Sequence, residues 1–458
     1  MTIAAHTLGC KLNYAETSDI MRRLAAAGHA VAEWGTVADL YIVNTCTVTA
    51  VAEKKCRNAI HQAHRLNPAA PIVVVGCFAQ VAAEALARIP GVALVLGNDR
   101  KHLLPELLGT AGSDTAASSL RDFNSSIPQD SGTSGTGTRR PADPKARRPE
   151  ERFPLQYSLG DRTRTFFKVQ DGCDYFCTYC AIPYARGRSR SATVAETLCA
   201  ARRIAASGAK EVVLTGVNTG TFGQQHGETL LDLLRGLDAI EGIERFRISS
   251  IEPNLLTDDI IDFVARSRAF LPHFHLPLQA GSDRILALMH RRYTTALYRD
   301  KLLCIKAAMP DACIAADIMA GFNGESEEEF GHVLEYVESL PVSYLHVFTY
   351  SDRPGTAALR LPERVPVDVR HEHTARLLEL GERKHRAFIA SQLGRSRPVL
   401  WEGGDPKSKA LNQEPESMFG WTDNYIRLWR PYDESRIATI ERITLTPDNV
   451  VVSNPIGE

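Results

Sequence analysis

"FFKVQDGCDYFCTYCAIPYARG", residues 166–187, runs from a short apolar strand straight into three cysteines, Cys173, Cys177 and Cys180. No fourth ligand follows at useful spacing. The next histidine is His226, and the next cysteine, Cys199, lies inside a helical pattern. A closed zinc site takes four ligands, so zinc is the weaker reading. Three soft thiolates suit an iron–sulfur cube, which usually takes four cysteines, so that one iron keeps an open position. The loop follows its strand directly, and the carboxyl ends of barrel strands are where βα barrels carry their active sites.

Downstream the same alternation continues. "EVVLTG", "RFRISS", "HFHLPL", "CIAADIMAGF" and "YLHVFTY" are strand-like runs separated by amphipathic segments such as "ATVAETLCAARRIAASG". With the opening strand this makes six βα units and predicts an incomplete barrel, a partial (β/α)6 arrangement over residues 156–391. Upstream, "IAAHTLGC", "LYIVNTC" and "PIVVVGC" alternate with helical patterns over residues 1–109, which predicts a parallel αβ sheet. Continuous apolar runs such as "IVVVG" fit strands buried on both faces. Residues 110–155 collapse into Ser, Gly, Thr, Asp and Pro without periodic apolar positions, and predict a disordered linker. Residues 392–455 are short, β-rich and broken by turn residues, which predicts a small β-barrel. The fold class is α/β with three structured parts.

At 458 residues the chain exceeds one ordinary core, and 44% apolar with 23% charged residues is the composition of a soluble globular protein. A formal charge of −1 gives no global attraction to nucleic acid, so RNA binding has to come from local patches. The opening residues lack a basic stretch followed by an apolar run, and no window approaches a membrane span, so the expectation is a cytoplasmic protein without membrane association. Ten cysteines in a reducing compartment read as thiols or metal ligands rather than disulfides.

Cys10, Cys46 and Cys77 each stand just past an apolar strand and just before a helix. In a parallel sheet all three emerge along the carboxyl edge, where open αβ sheets bind ligands. Cys56, Cys199, Cys304 and Cys313 have no partner at ligand spacing and read as buried structural thiols. Two separate three-cysteine sets therefore predict two clusters. "RGRSRS" follows the first loop and offers Arg186 and Arg188 as a phosphate grip, with ordinary surface charge as the alternative.

The cysteine loop resembles the cluster motif of radical S-adenosylmethionine enzymes. The resemblance implies that Cys173, Cys177 and Cys180 hold a 4Fe–4S cluster whose open iron chelates the methionine end of S-adenosylmethionine, and that one electron cleaves the cofactor to a 5′-deoxyadenosyl radical. Tyr179 resembles the aromatic that packs near the adenine. Thr215, Gly216 and Gly321, at strand ends, are further candidate cofactor contacts.

"TLGCKLNYAETS", "IVNTCTVT" and "VVVGCFAQ", followed by that motif, resemble the methylthiotransferases over nearly the whole chain outside the linker. This resemblance implies that Cys10, Cys46 and Cys77 hold an auxiliary 4Fe–4S cluster whose open iron carries the sulfur to be transferred. One S-adenosylmethionine methylates that sulfur and a second supplies the radical. "GWTDNYIRLWRP" resembles the core of the RNA-binding TRAM domain and nominates Asn424 and Tyr425 as RNA contacts, since aromatic faces and guanidinium groups suit unpaired bases and phosphates. "GCKLNYAETS" with "CAIPYARGRSRS" looks most like the branch that acts on threonylcarbamoyladenosine in tRNA. The other branches act on isopentenyladenosine in tRNA or on a ribosomal-protein aspartate, and a zinc-containing RNA-binding protein is the non-enzymatic alternative. A flavodoxin or ferredoxin type electron donor is implied, and no catalytic residue beyond the cluster ligands.

Overall fold

The computed structural model describes residues 1–109, 153–160, 162–404 and 416–452. The expected linker, 110–155, lies outside the described residues except for its last three. The chain divides into two compact units, one of Met1–Ser158, Phe166–Arg190 and Ser351–Thr356, the other of Leu159–Thr165, Ser191–Tyr350 and Ala357–Glu458. Both three-cysteine sets fall in the first unit.

In that unit five strands form a parallel sheet: β1 (Thr2–Thr7), β2 (Ala30–Ala32), β3 (Leu40–Thr45), β4 (Ile72–Gly76) and β5 (Val92–Leu96), ordered β2-β1-β3-β4-β5. The period of two explains the continuous apolar runs. Leu40, Ile42, Val73 and Val75 enter one core with Ile20 and Leu24, while Tyr41, Val43, Ile72 and Val74 enter the other with Ala59, Ile60 and Ala63. Ile20 and Leu24 lie on helix α1 (Lys11–Ala26), and Ala59 to Ala63 on α2 (Ala50–Leu66). Each fully buried aliphatic side chain contributes about 1.5–3 kcal/mol, so both sheet faces have to be covered. The first unit also contains β6 (Gln156–Tyr157), antiparallel to the later part of β7 (Arg164–Lys168), and the short β8 (Gln170–Asp171). A further two-residue strand, β9 (Arg190–Ser191), precedes the second unit.

The second unit carries the remaining strands of the expected barrel. β10 (Glu211–Thr215) and β11 (Arg245–Ile248) are parallel neighbours, and β12 (His273–Gln279), β13 (Cys313–Ala320) and β14 (Tyr344–Thr349) form a parallel set in that order. The helices between them begin on hydroxyl caps. Thr193, Thr229 and Ser326 each complete a capping box with Glu196, Asp232 and Glu329, while Thr257 and Thr294 cap alone.

The expected small β-barrel takes the form of a four-stranded antiparallel sheet. It consists of β15 (Ser396–Gly404), β16 (Ser417–Thr422), β17 (Arg427–Pro431) and β18 (Ile440–Thr444), ordered β17-β16-β15-β18. Val399, Trp401, Met418 and Leu428 share one core with Cys313, Tyr344, Phe388 and Ile389. Arg247 on β11 locks this sheet by polar contacts. Its guanidinium pairs with buried Glu211 at 2.8 Å and donates to the Thr422 and Asp423 carbonyls at 2.7 and 2.9 Å. Among the described residues no helix is long and apolar enough to cross a membrane.

Candidate functional site

Because β1, β3 and β4 are adjacent and parallel, the residues that follow them share one edge. Cys10 caps the start of α1, Cys46 directly follows β3, and Cys77 opens the short helix α3 (Cys77–Val81). Side chains of the same edge hold the three loops together. The Asn13 amide donates to the Leu8 and Thr45 carbonyls at 2.8 and 3.1 Å, and the Thr45 hydroxyl donates to the Val75 carbonyl at 2.6 Å while accepting from the Ala79 amide at 3.2 Å. Cys56, read as structural, is fully buried and braces Cys46 from behind. Its Sγ accepts from the Cys46 amide at 3.3 Å and donates to the Cys46 carbonyl at 3.5 Å.

The chemistry of these donors fits an iron–sulfur cluster. Burial first, then the neighbouring Cys77 and Cys10 sulfurs, push the Cys46 thiol up to about 12. A thiolate there is stable only against added positive charge, which thiophilic metal supplies.

Gly76 sets where Cys77 enters. It sits at φ +101, and a Cβ there would stand 2.4 Å from Asn44 Oδ1 and 2.6 Å from the Thr45 carbonyl oxygen. Gly76→Ala is expected to cost about 1–3 kcal/mol and to displace Cys77 from the edge. Gly331→Ala, in a helix with open space around it, is expected to be neutral or mildly stabilising. Thermal melting together with iron content after reconstitution checks both.

The radical-motif loop is pinned at its two ends. The Cys173 amide donates to the Gly187 carbonyl at 3.0 Å, and the Gln170 side-chain amide donates to the Asp171 and Gly172 carbonyls and to the Ser189 hydroxyl at 3.0, 2.8 and 3.0 Å. Cys177 is buried, Cys173 and Cys180 are half-buried, and Tyr179 between them is half-buried too. Asn98 ties this loop to the other cysteine set, donating at 3.4 Å to Cys77 Sγ and at 2.8 Å to the Ala185 carbonyl.

Beneath both sets lies a charge cluster that sequence reading missed. Glu16 accepts from Lys168 at 2.7 Å and from Arg186 at 3.2 Å and also pairs with Lys101; Asp171 pairs with Lys168 and Arg186 at 2.9 Å and with Arg190 at 3.0 Å. Burial pushes both carboxyls up, but the surrounding cations outweigh it and hold both below the ordinary carboxylate range. The Arg186 guanidinium also feels the Cys77 and Cys10 sulfurs. The expected phosphate grip at Arg186 is therefore corrected: its side chain is 1% exposed and fully engaged by Glu16, Asp171 and Asn13. Arg188 is 42% exposed and 3.6 Å from Asp174. The only signal in the sequence was the helical offset of Asn13 and Glu16, which puts both on the face of α1 behind Cys10.

In the second unit Thr215 ends β10, with Gly216 next to it. The Thr215 hydroxyl and that of Ser249, just past neighbouring β11, are buried without a hydrogen-bond partner. Both stand at carboxyl strand ends, the side on which parallel α/β sheets place their ligands. Gly321 follows β13 at φ +71, and a Cβ there would meet Arg370 Cγ at 2.4 Å, so its close approach is to a side chain of the same unit.

The two nominated RNA contacts, Asn424 and Tyr425, lie at the turn between β16 and β17. Asn424 is fully buried, its side-chain amide donating to the Asp311 carbonyl and to Gln392 Oε1, both at 3.1 Å, which leaves no amide exposed for RNA. Tyr425 is half-buried, stacked between His273 at 4.2 Å and Trp421 at 4.5 Å. Trp421 is core at 2% exposure, whereas Trp429 is 42% exposed.

Residues 2–97 match "Uncharacterized protein family UPF0004" and residues 167–337 match the radical SAM superfamily. The chain is 36% identical to a threonylcarbamoyladenosine tRNA methylthiotransferase of Bacillus subtilis over 97% of its own length and 93% of the relative's. A relative of the same description from Aquifex aeolicus is 35% identical, with 87% and 92% covered. A tRNA-2-methylthio-N(6)-dimethylallyladenosine synthase of Nitratidesulfovibrio vulgaris is 34% identical, with 90% and 91% covered. The fold is similar to a radical S-adenosylmethionine methyltransferase from Kitasatospora setae, with TM-score 0.53 and 16% identity over 76% of this chain and 72% of that one. Near-full-length kinship at this identity, on a fold with two three-cysteine sets, means that the chain belongs to the radical S-adenosylmethionine tRNA methylthiotransferases.

Proposed function

We propose that this enzyme converts N6-threonylcarbamoyladenosine beside the tRNA anticodon to its 2-methylthio derivative. The observation that carries the reading is the pair of three-cysteine sets in a chain 36% identical, over nearly its whole length, to a relative named for that nucleoside. Cys173, Cys177 and Cys180 would hold one 4Fe–4S cluster together with S-adenosylmethionine, and Cys10, Cys46 and Cys77 a second. When bound, these groups supply the radical that removes hydrogen from adenine carbon 2 and the sulfur that replaces it.

The chain's own residues do the positioning. Asn13, Thr45 and Cys56 brace the sheet edge that presents Cys10, Cys46 and Cys77. Asn98 couples Cys77 to the helix that follows Cys180, so a shift of one loop is felt by the other. Tyr179, between Cys177 and Cys180, offers its ring to the cofactor. Residues 1–109 form the auxiliary-cluster domain, 156–391 the radical domain and 392–455 a TRAM-like module, on which exposed Trp429 offers a stacking face for an unpaired base. Arg188 remains the candidate phosphate contact of the loop. A low-potential flavodoxin or ferredoxin supplies electrons, and the setting is cytoplasmic.

The dimethylallyladenosine reading keeps a specific footing in the 34% identical relatives of that name. Mass spectrometry of nucleosides from host tRNA with and without the gene separates the two. Loss of the methylthio group from threonylcarbamoyladenosine alone, restored by the intact gene, is the expected result. Loss from the isopentenyl nucleoside instead overturns the substrate assignment.

A further inference from the structure

In the second unit three side chains from three neighbouring parallel strands converge. His275 lies on β12, Asp317 on β13 and His346 on β14, with Asp317 in register with Pro277 on one side and His346 on the other. His275 Nε2 stands 2.6 Å and His346 Nδ1 3.0 Å from the same oxygen, Asp317 Oδ1. The two imidazole rings meet edge to face at 4.9 Å. One donor atom from each residue lies within 4.8 Å of the others, the one such grouping found among the described residues.

We propose that His275, Asp317 and His346 form a binding site for a divalent transition-metal ion, built without any cysteine. Two imidazoles and one carboxylate are the donor set of mixed nitrogen–oxygen sites that keep open coordination positions. On a coordination polyhedron with bonds of about 2.1 Å, neighbouring donors stand about 3 Å apart, close to the 2.6 and 3.0 Å that separate the two ring nitrogens from Asp317 Oδ1. All three sit on strands rather than loops, so little ordering is left to do on binding. The side chains are 21%, 16% and 26% exposed, so an ion reaches them without opening the core. One carboxylate against a dication leaves net positive charge and free positions, which suit water or an anionic oxygen such as a carboxylate. The cysteines stay outside this set, and a nitrogen–oxygen site favours borderline or harder ions over those that seek thiolate. The assignment does not depend on which nucleoside the enzyme modifies.

Manganese(II) is the probe of choice because it prefers nitrogen and oxygen over sulfur and is read by electron paramagnetic resonance while oxidised 4Fe–4S clusters are silent. Titrated into cluster-loaded enzyme, it is expected to bind one ion per chain, with nitrogen-14 hyperfine coupling from two imidazoles. Asp317→Asn and His346→Ala are each expected to weaken binding at least about tenfold while iron content and melting temperature hold. His346→Gln, closer in volume, serves if His346→Ala lowers the melting temperature. Binding without imidazole coupling, binding that survives the substitutions in folded protein, or no binding beyond weak surface association overturns the proposal.

Discussion

Cys177→Ala is expected to reduce the formation of 5′-deoxyadenosine from S-adenosylmethionine to background, whereas Cys46→Ala is expected to keep it and to lose methylthiolated tRNA. Cys177 is the buried member of its trio, 8% exposed, and three thiolates are already one fewer than an iron–sulfur cube usually takes. Two leave the cube without a stable seat. A fall of at least about a thousandfold in cleavage, some 4 kcal/mol at 1.36 kcal/mol per decade, is the size expected from losing the group that carries the electron. Cys46 lies on the sheet edge, held by Cys56 and by the strand that ends at Thr45. Each variant is expected to lose about half of its iron after anaerobic reconstitution, since each removes the seat of one cluster of two. Iron, sulfide and 5′-deoxyadenosine measured on the same samples separate loss of a cluster from loss of the fold. A Cys46→Ala enzyme that thiolates normally removes the sulfur-carrying role from Cys10, Cys46 and Cys77.

Glu16→Gln is expected to destabilise the protein by about 3–5 kcal/mol, the usual cost of leaving buried charge without its partner. The substitution keeps the volume and removes the one carboxylate shared by Lys101, Lys168 and Arg186, all of them buried. Asp171 then faces two of these cations, together with Arg190, by itself. The effect is expected to reach the cysteines, because Arg186 also binds Asn13, whose amide ties the Cys10 and Cys46 loops. The pH dependence has a definite sign. Both carboxyls are held below their ordinary range when folded, so their contribution is complete above the unfolded values of about 3.9 and 4.3 and is lost as pH falls through the lower folded ones. The parent should therefore lose stability steeply below about pH 4, and Glu16→Gln should start lower at pH 7 and fall less steeply in acid. Urea midpoints across pH 3–8 read both. A variant within about 1 kcal/mol of the parent at pH 7 would mean that the cluster is not holding the unit together.

Positions that follow from local covalent order were legible in the sequence. Cys173, Cys177 and Cys180 share one loop whatever the rest of the chain does, and Cys10, Cys46 and Cys77 each follow an apolar run that has to end at a sheet edge. The two-faced burial of β3 and β4 follows from the same runs, since a period of two with no polar break needs cover on both sides. The tertiary structure alone decided which charges meet. Arg186 and Asn424 are polar residues in loop and turn sequence, and local pattern gives them to solvent, yet Arg186 is drawn inward by Glu16, 170 residues away, and Asn424 by Asp311, 113 residues away. His275, Asp317 and His346 look like three unrelated strand residues until β12, β13 and β14 come into register across separations of 42 and 29 residues. Burial of a charge or a polar group is settled by partners it meets only after folding, because its desolvation cost is offset by long-range neighbours that no local periodicity records.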